Sequence, residues 1–221
     1  MFYQWDFAFL LRYTPLFWKG VLVTLAYTAT TILLGLVIGL LIGLGRLSRS
    51  KLLNVPLVAF IEAFRCTPIL VQLIWFYYAL PILAGVEMTP ITASALALSL
   101  YGGSFYSEII RGGIISIDKG QSEAGAALGM TPGQSMRRIV LPQAIKRMIP
   151  ALMNQSIIQF KNTSLVSVLA VPDLVYQSQV AAHDSYRPLE TYTAVAVAYA
   201  AILIPLTILV RRGEKHLAVS E

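Results

Sequence analysis

The stretch "QSEAGAALGMTPGQSMRRIVLPQAI", residues 121–145, is Ala- and Gly-rich, carries three charges and holds two prolines, yet long apolar runs flank it on both sides. Its local signals describe two short helices joined by a tight corner. Asp118 is placed to cap the first, with Gln121 three residues on as a capping-box partner. That helix runs through "QSEAGAAL" and stops at Gly129, a residue suited to the left-handed position past a helix end. Thr131, Pro132 and Gln134 supply an N-cap, an N1 proline and an N3 glutamine for the second helix. It reaches about Leu141, and Pro142 is expected to bend the chain onward. Ala124, Gly125, Ala126 and Ala127 give the first helix almost no side-chain bulk, and Glu123 lies in its first turn, where the helix dipole favours an anion. A face that small lets a partner surface approach the backbone, as in helix-in-groove docking, or lets the helix pack on the chain's own span ends.

The flanks place this loop in a membrane protein. Of the 221 residues, 57% are hydrophobic and 13% charged, against about 25% charged in a soluble domain. A helix needs roughly 20 apolar residues to cross a bilayer. Uncharged runs lie between Lys19 and Arg46, between Arg65 and Glu87, over 88–107 and over 191–210. "MIPALMNQSIIQF" (148–160) and "NTSLVSVLAVP" (162–172) are each too short; joined, they make another span with Lys161 near its middle as a buried cation. The reading is therefore of five spans. Lys and Arg set the orientation. Arg46, Arg49, Lys51, Arg111, Lys119, Arg137, Arg138, Lys146, Arg147, Arg211, Arg212 and Lys215 fall on one side, and only Arg12, Lys19 and Arg187 on the other. The first side is expected to be cytoplasmic, with the N-terminus outside and the C-terminus inside. The pI near 9.5 then reflects cytoplasmic loops rather than nucleic-acid binding.

Other classes find little support. A single cysteine, Cys66, allows no internal disulfide, and the two histidines, His183 and His216, lie far apart, so no metal site or catalytic residue is expected. The start "MFYQWDFAFL" lacks the charged region of a cleavable signal, and its aromatics suit an interfacial segment at headgroup depth. "YGGS" (101–104) reads as a close helix contact.

Polar residues inside spans point to a pathway, because charge there costs about 2.5–3.5 kcal/mol on insertion scales and faces a cavity or partner. Lys161 either meets a substrate carboxylate, helped by Asn162, Thr163 and Ser164, or neutralises an acid such as Glu62 or Glu108. The Asn–Thr pair also suggests a helix break there, which frees backbone groups for a ligand. Arg65 either pairs with Glu62 three residues earlier or joins Thr67 and Gln72, the latter seven residues on and on the same helical face. Asn154, Gln155 and Gln159 extend a polar stripe. These donors and acceptors suit a zwitterion such as an amino acid.

"EAGAALG", followed nine residues later by "IVLP", resembles the EAA loop of ABC importer permeases, whose pattern is E-A-A, three residues, G, nine residues, I-x-L-P; Gly125 stands at the second Ala. "EAFRCTPILVQL", "FYSEIIRGGIISIDKGQSEA" and "FKNTSLVSVLAVPDL" resemble segments of the polar amino acid subgroup, with Cys66 where that subgroup has Gly. The likeness covers residues 62–174. It implies an all-α integral membrane fold of five transmembrane helices, a single permease domain over 1–221 with a cytoplasmic coupling loop at about 111–147. It implies that Glu123, Ala124, Gly125, Ala126, Ala127, Gly129, Ile139, Leu141 and Pro142 form a coupling surface seated on a cytoplasmic ATPase dimer. It further implies a second permease subunit, an extracytoplasmic amino-acid-binding protein, and surrounding lipid in a bacterial inner membrane. No G-x-x-x-x-G-K-[ST] occurs in the chain, so ATP and Mg belong to the partner ATPase and this chain is not an enzyme. The rival readings are an ion-coupled secondary transporter, whose usual inverted repeats are not found here, and a non-transporting scaffold.

Overall fold

The computed structural model describes residues 3–218, with side chains to residue 213, and all regular structure among them is helical. The helices are α1 (Leu10–Gly45), α2 (Lys51–Arg65), α3 (Ile69–Ala84), α4 (Pro90–Ile115), α5 (Lys119–Ala127), α6 (Pro132–Ser135), α7 (Leu141–Asn162), α8 (Leu174–Ser185) and α9 (Pro188–Ala218). A π turn, Met136–Val140, joins α6 to α7, and a 3-10 segment, Thr163–Leu169, extends α7. The side chains of Lys215 and His216, assigned to the cytoplasmic end from sequence, lie outside the described part.

Among the described residues two helices are long and apolar enough to cross a membrane alone, Leu10–Gly45 and Pro188–Gly213, and the number rises to four if each of two bent pairs is one span. The second uncharged run is not one straight helix. The chain breaks at Cys66–Pro68, because Pro68 disfavours the helical region for Thr67, and α3 keeps 16 residues. The run over 148–172 is likewise not straight. Beyond Leu169, Ala170 adopts a left-handed conformation (φ 56°) that ends the 3-10 segment, and Asp173 then starts α8. The change from α to 3-10 at Thr163 is where the Asn–Thr pair predicted a break. The run over 88–107 enters α4 at Pro90, and the 26 residues of that helix reach about 39 Å at about 1.5 Å per residue. It carries Ser and Gly where lipid-facing helices carry Leu, and its Ala93, Ser94, Ala97, Leu98, Ser99, Ser104, Tyr106 and Ser107 are all buried. A helix covered by protein on its polar face does not need apolar residues all round.

The chain divides into two compact units. One holds the chain up to residue 32, residues 68–98 and residues 157–208. Within it, the Tyr27 hydroxyl donates to the Ile91 carbonyl (2.9 Å), the Leu174 amide to Thr24 Oγ1 (3.1 Å), and Gln159 Nε2 to the Leu98 carbonyl (2.8 Å). Side-chain hydroxyls and amides here do the tying that loops do in soluble folds, where water is absent to serve buried polar groups.

The other unit holds residues 33–67, residues 99–156 and the chain from 209. Gly39 and Gly43 let α1 lie directly on α4: a Cβ at Gly39 would sit 2.5 Å from Tyr106 Cβ, and one at Gly43 would sit 2.9 Å from the Ser107 carbonyl. Gly103, in the "YGGS" contact, accommodates Ile38 in the same way. Below this lies an apolar cluster of Ile110, Ile114, Ile117, Val140, Ala144 and Met148, which seats the loop that follows α4.

Candidate coupling loop and polar membrane residues

The loop is held together mostly by its own termini. Asp118 caps α5 by accepting the Gly120 amide (2.6 Å). The expected capping box does not close, because the Gln121 side chain turns away to accept from Gln143 Nε2 (3.2 Å), which also donates to the Ile139 carbonyl (3.1 Å). At the other end Gly129 takes φ 78°. The Met130 amide donates to the Gly125 carbonyl (3.0 Å) and the Gly129 amide to the Ala126 carbonyl (2.9 Å), the paired bonds of a Schellman end. The Thr131 box closes in full: the Gln134 amide donates to Thr131 Oγ1 (3.3 Å) and the Thr131 amide to Gln134 Oε1 (3.0 Å).

Pro142 does not bend the chain as expected. The Leu141 amide reaches back to the Met136 carbonyl in a π turn, and α7 continues from there without a break. Pro142 lacks the amide that would have closed on residue 138, and the widened turn immediately before it absorbs that loss.

The small residues of α5 do not all face outward. Gly125 is buried; a Cβ there would stand 3.0 Å from Ile139 Cδ1 and 3.1 Å from Ser135 Oγ. The departure from Ala at this position is a close contact inside the loop, not part of its outer surface. Glu123, Ala124, Ala126, Ala127, Gly129 and Pro142 are exposed, while Ile139 and Leu141 are half-buried. Two features went unmarked in the sequence. Leu128 is 81% exposed beside the alanines, an apolar knob whose only signal is its place at the C-cap. Arg137 and Arg138 line an open cleft of about 600 Å³ with Thr131, Gly133 and Gln134. A small, partly apolar face edged by two cations, on a self-braced loop, can seat in a groove with an acidic rim.

The polar residues of the membrane part fall into both units. In the first, Gln159 and Thr163 are fully buried and Gln72 nearly so. Lys161 is exposed on the surface of the chain, not a buried cation: the helical period turns Gln159, Phe160 and Thr163 inward and leaves residue 161 on the outer face. It forms no ion pair among the described residues, and its carbonyl accepts the Ser164 hydroxyl (2.8 Å). Gln159 Oε1 and Asn162 Nδ2 are buried without a hydrogen-bond partner.

In the second unit, Glu62, Arg65 and Thr67 are exposed and Gln155 is buried with its Nε2 unpartnered. Arg65 is not salt-bridged to Glu62 among the described residues; its guanidinium lies 5.5 Å from the centre of the Phe105 ring, and Glu62 accepts the Cys66 thiol (3.4 Å). The helix break at Cys66–Pro68 ends the periodicity that put Gln72 on the face of Arg65. Glu108 is held by Arg111 (3.2 and 3.0 Å) and Arg46 (3.7 Å) rather than by Lys161. Sequence reasoning also passed over Asp173, a buried cap of α8 that accepts the Tyr176 amide (2.8 Å). An Asp three residues before the amide it serves, directly after a Pro, was the available signal.

A family described as "binding-protein-dependent transport system inner membrane component" matches residues 32–218. The glutamine transport system permease protein GlnP of Escherichia coli (strain K12) is 38% identical over 217 residues, covering 98% of this chain and 99% of that protein. A putative GlnP of Rickettsia bellii is 34% identical, covering 97% and 100%. Among solved structures, an amino acid ABC transporter with histidines superposes with TM-score 0.91 at 35% identity, covering 97% of this chain and 100% of that one. The inward-facing MetNI methionine ABC transporter shares the fold, with TM-score 0.73 at 22% identity over 92% of this chain and 98% of that one. This protein belongs to the family of inner membrane components of binding-protein-dependent transport systems, and it is a permease subunit of an ABC importer.

Proposed function

We propose that this permease carries polar amino acids inward across the bacterial inner membrane, driven by a separate cytoplasmic ATPase dimer that binds ATP and Mg. The observation that carries the mechanical part is the loop over 118–142. It is braced by its own caps and by the 110–148 cluster, while Glu123, Ala124, Ala126, Ala127 and Leu128 stay exposed. A partner that grips this face moves the helices behind it through Val140, Ala144 and Met148. The relatives named for glutamine transport and the amino acid transporter with histidines support the substrate class. The exposed cation Lys161, with the donors and acceptors of Asn162, Thr163, Ser164 and Gln159 nearby in sequence, supports recognition of a carboxylate and an ammonium. A second permease subunit, the same or homologous, then covers the Lys161 face, which lipid tails would leave charged and unsolvated. An extracytoplasmic binding protein delivers the substrate.

Five spans form one transmembrane domain in this reading: α1, the α2–α3 pair, α4, the α7–α8 pair and α9. Cysteines placed singly at Ser185 and Ser220, the latter outside the described residues, are expected to label from opposite sides in a Cys66→Ser background. The decisive experiment is Ala124→Trp in the complex purified with its ATPase and binding protein. Binding-protein-stimulated ATP hydrolysis and uptake of glutamine or histidine into vesicles should both fall, with assembly intact. Full stimulation and full uptake would remove α5 as the coupling surface.

A further inference from the structure

The first residues of the chain are tied down by one carboxylate. Glu190, in the first turn of α9, has no exposed surface, yet it takes three bonds from outside its own helix turn. The Tyr3 hydroxyl donates to Oε2 (2.6 Å), and the Asp6 amide (3.2 Å) and Arg187 Nη1 (2.9 Å) donate to Oε1. Arg187 Nη1 also reaches the Gln4 carbonyl (3.5 Å), and the Tyr13 hydroxyl donates to Asp184. The bond to Glu190 holds the Tyr3 phenol above its usual range, so the hydroxyl remains a donor. Residues 3–9 form a short strap fastened at Tyr3 and Asp6, and it runs into α1 through the Leu10 amide and the Phe7 carbonyl (3.1 Å).

What the strap presents is aromatic. The Tyr3 ring meets Trp5 edge-on, with centroids 5.4 Å apart, and Trp5 stacks on Phe7 at 5.6 Å with planes 4° apart. These rings pack on one another and stay about half exposed, at 49%, 56% and 45%. The open face continues onto α1 through Leu11 (78%) and Trp18 (63%), seven residues apart and so on one side of the helix. The Tyr3 hydroxyl and the Asp6 amide point to Glu190, while the Trp5 and Phe7 rings stay open. The two helices that the strap connects, α1 and α9, are the two long and apolar enough to span a membrane alone. Its position is therefore the level at which both leave the hydrocarbon, where Trp and Tyr concentrate because one end of each ring system is apolar and the other wet.

We propose that residues 3–9 are an interfacial anchor: the Glu190 clasp holds the Tyr3, Trp5 and Phe7 rings in the lipid headgroup layer and thereby fixes the membrane depth of both α1 and α9. The occupant of this face is the bilayer. An apolar aromatic face at the level where α1 leaves the hydrocarbon matches the headgroup layer, where Trp and Tyr concentrate. This claim does not depend on which solute the protein carries or on which side the N-terminus lies.

The chain has three tryptophans, so Trp18→Phe with Trp75→Phe leaves Trp5 as this chain's sole tryptophan, and its quenching is read as the difference from the same complex carrying Trp5→Phe as well. The assembled complex is reconstituted into phosphatidylethanolamine–phosphatidylglycerol vesicles. Lipids brominated near the headgroup end of the acyl chain should quench Trp5 strongly, lipids brominated near the chain end weakly, and aqueous acrylamide weakly. In Glu190→Ala the acrylamide quenching should rise severalfold. In Tyr3→Phe, which removes one clasp bond and leaves the ring, it should rise less. Should Glu190→Ala fail to assemble, Tyr3→Phe carries the test alone. Strong acrylamide quenching of the parent, with none by bromolipid, would overturn the anchor. Loss of bromolipid quenching when the complex's binding protein is added would assign the face to a protein and overturn the lipid occupant. Unchanged Trp5 quenching in the assembled clasp variants would overturn the role of Glu190.

Discussion

The loop over 118–142 and the stripe over 154–164 are both polar insertions in an apolar chain, and they are built in opposite ways. In the loop the bonds that cap the helix ends close within a few residues, Asp118 with Gly120, Gly129 with Ala126 and Thr131 with Gln134, although the buried Ser135 hydroxyl has no partner. In the stripe two side-chain ties are long, Gln159 to Leu98 across 61 residues and Ser156 to Tyr106 across 50, and Gln155 Nε2, Gln159 Oε1 and Asn162 Nδ2 are left over. The loop is finished within itself and offers an outer face. The stripe is unfinished and keeps hydrogen-bonding capacity at membrane depth, where each unserved group is costly.

The largest expected effect breaks the loop from inside. Gly125→Leu must push Ile139 and Ser135 aside, since even a Cβ would meet them at 3.0 and 3.1 Å. Overpacking of this kind costs about 1–3 kcal/mol and separates α5 from the π turn. Stimulated ATP hydrolysis should fall roughly tenfold or more. Ala126→Leu, one residue on and exposed, adds the same bulk to the outer face without meeting Ile139 or Ser135, so the α5 amides should keep the slow hydrogen exchange that Gly125→Leu loses. Equal exchange in the two variants would mean that the buried side of α5 does not brace it.

The stripe is tested at Lys161. A charge-assisted hydrogen bond is worth about 1.5–3 kcal/mol, so Lys161→Ala should lower uptake by roughly an order of magnitude. Because Lys161 has no ion pair among the described residues and is exposed, assembly with the ATPase should be unaffected. Co-purification of the ATPase with the variant separates the two roles: loss of assembly would make the lysine part of the subunit contact, and normal uptake would remove it from the pathway.

This contrast also explains how much was legible in the sequence. The caps at Asp118 and Thr131 and the stop at Gly129 were readable because the residues that decide them are within a few positions of one another. The membrane class followed from composition and run lengths, which need no tertiary information. That Gln72 leaves the face of Arg65 was not readable, because the helix break at Cys66–Pro68 resets the helical phase on which that inference depends, and the exposure of Lys161 was not readable, because it is set by which segments pack against α7. Even inside the loop, the one expectation that failed at α5's start was long-range: Gln121 bonds Gln143, 22 residues away, instead of closing its own box. Pro142 misled for a related reason, since the π turn that accommodates it has no sequence signature of its own.

A smaller effect sharpens the loop's local logic. Gly129 has φ 78° and open space around it, so a side chain there meets strain and no clash. The left-handed region costs a non-glycine residue about 1–2 kcal/mol. Gly129→Ala should reduce stimulated hydrolysis several-fold, and Gly129→Asn should lose less because Asn tolerates that region better. If Asn is as damaging as Ala, the backbone conformation is not what matters at this corner.

The smallest expected effect is at Thr131. Its hydroxyl accepts the Gln134 amide while Gln134 accepts the Thr131 amide, so both bonds serve one four-residue helix. Removing an N-cap side chain costs about 1 kcal/mol. In Thr131→Ala the Gln134 amide loses its partner, and α6 should fray without disturbing α7, which has its own bonds from Leu141 onward. Arg137 and Arg138, which share an open cleft with Thr131, should lose their fixed position. The measurable outcome is faster hydrogen exchange at residues 133–135, with the 141–148 amides unchanged, and at most a few-fold loss of stimulated hydrolysis. Thr131→Ser, which keeps the acceptor, should restore both. If exchange instead accelerates through residue 148, α6 and α7 act as one cooperative helix, and the loop is braced by the membrane part rather than by its own caps.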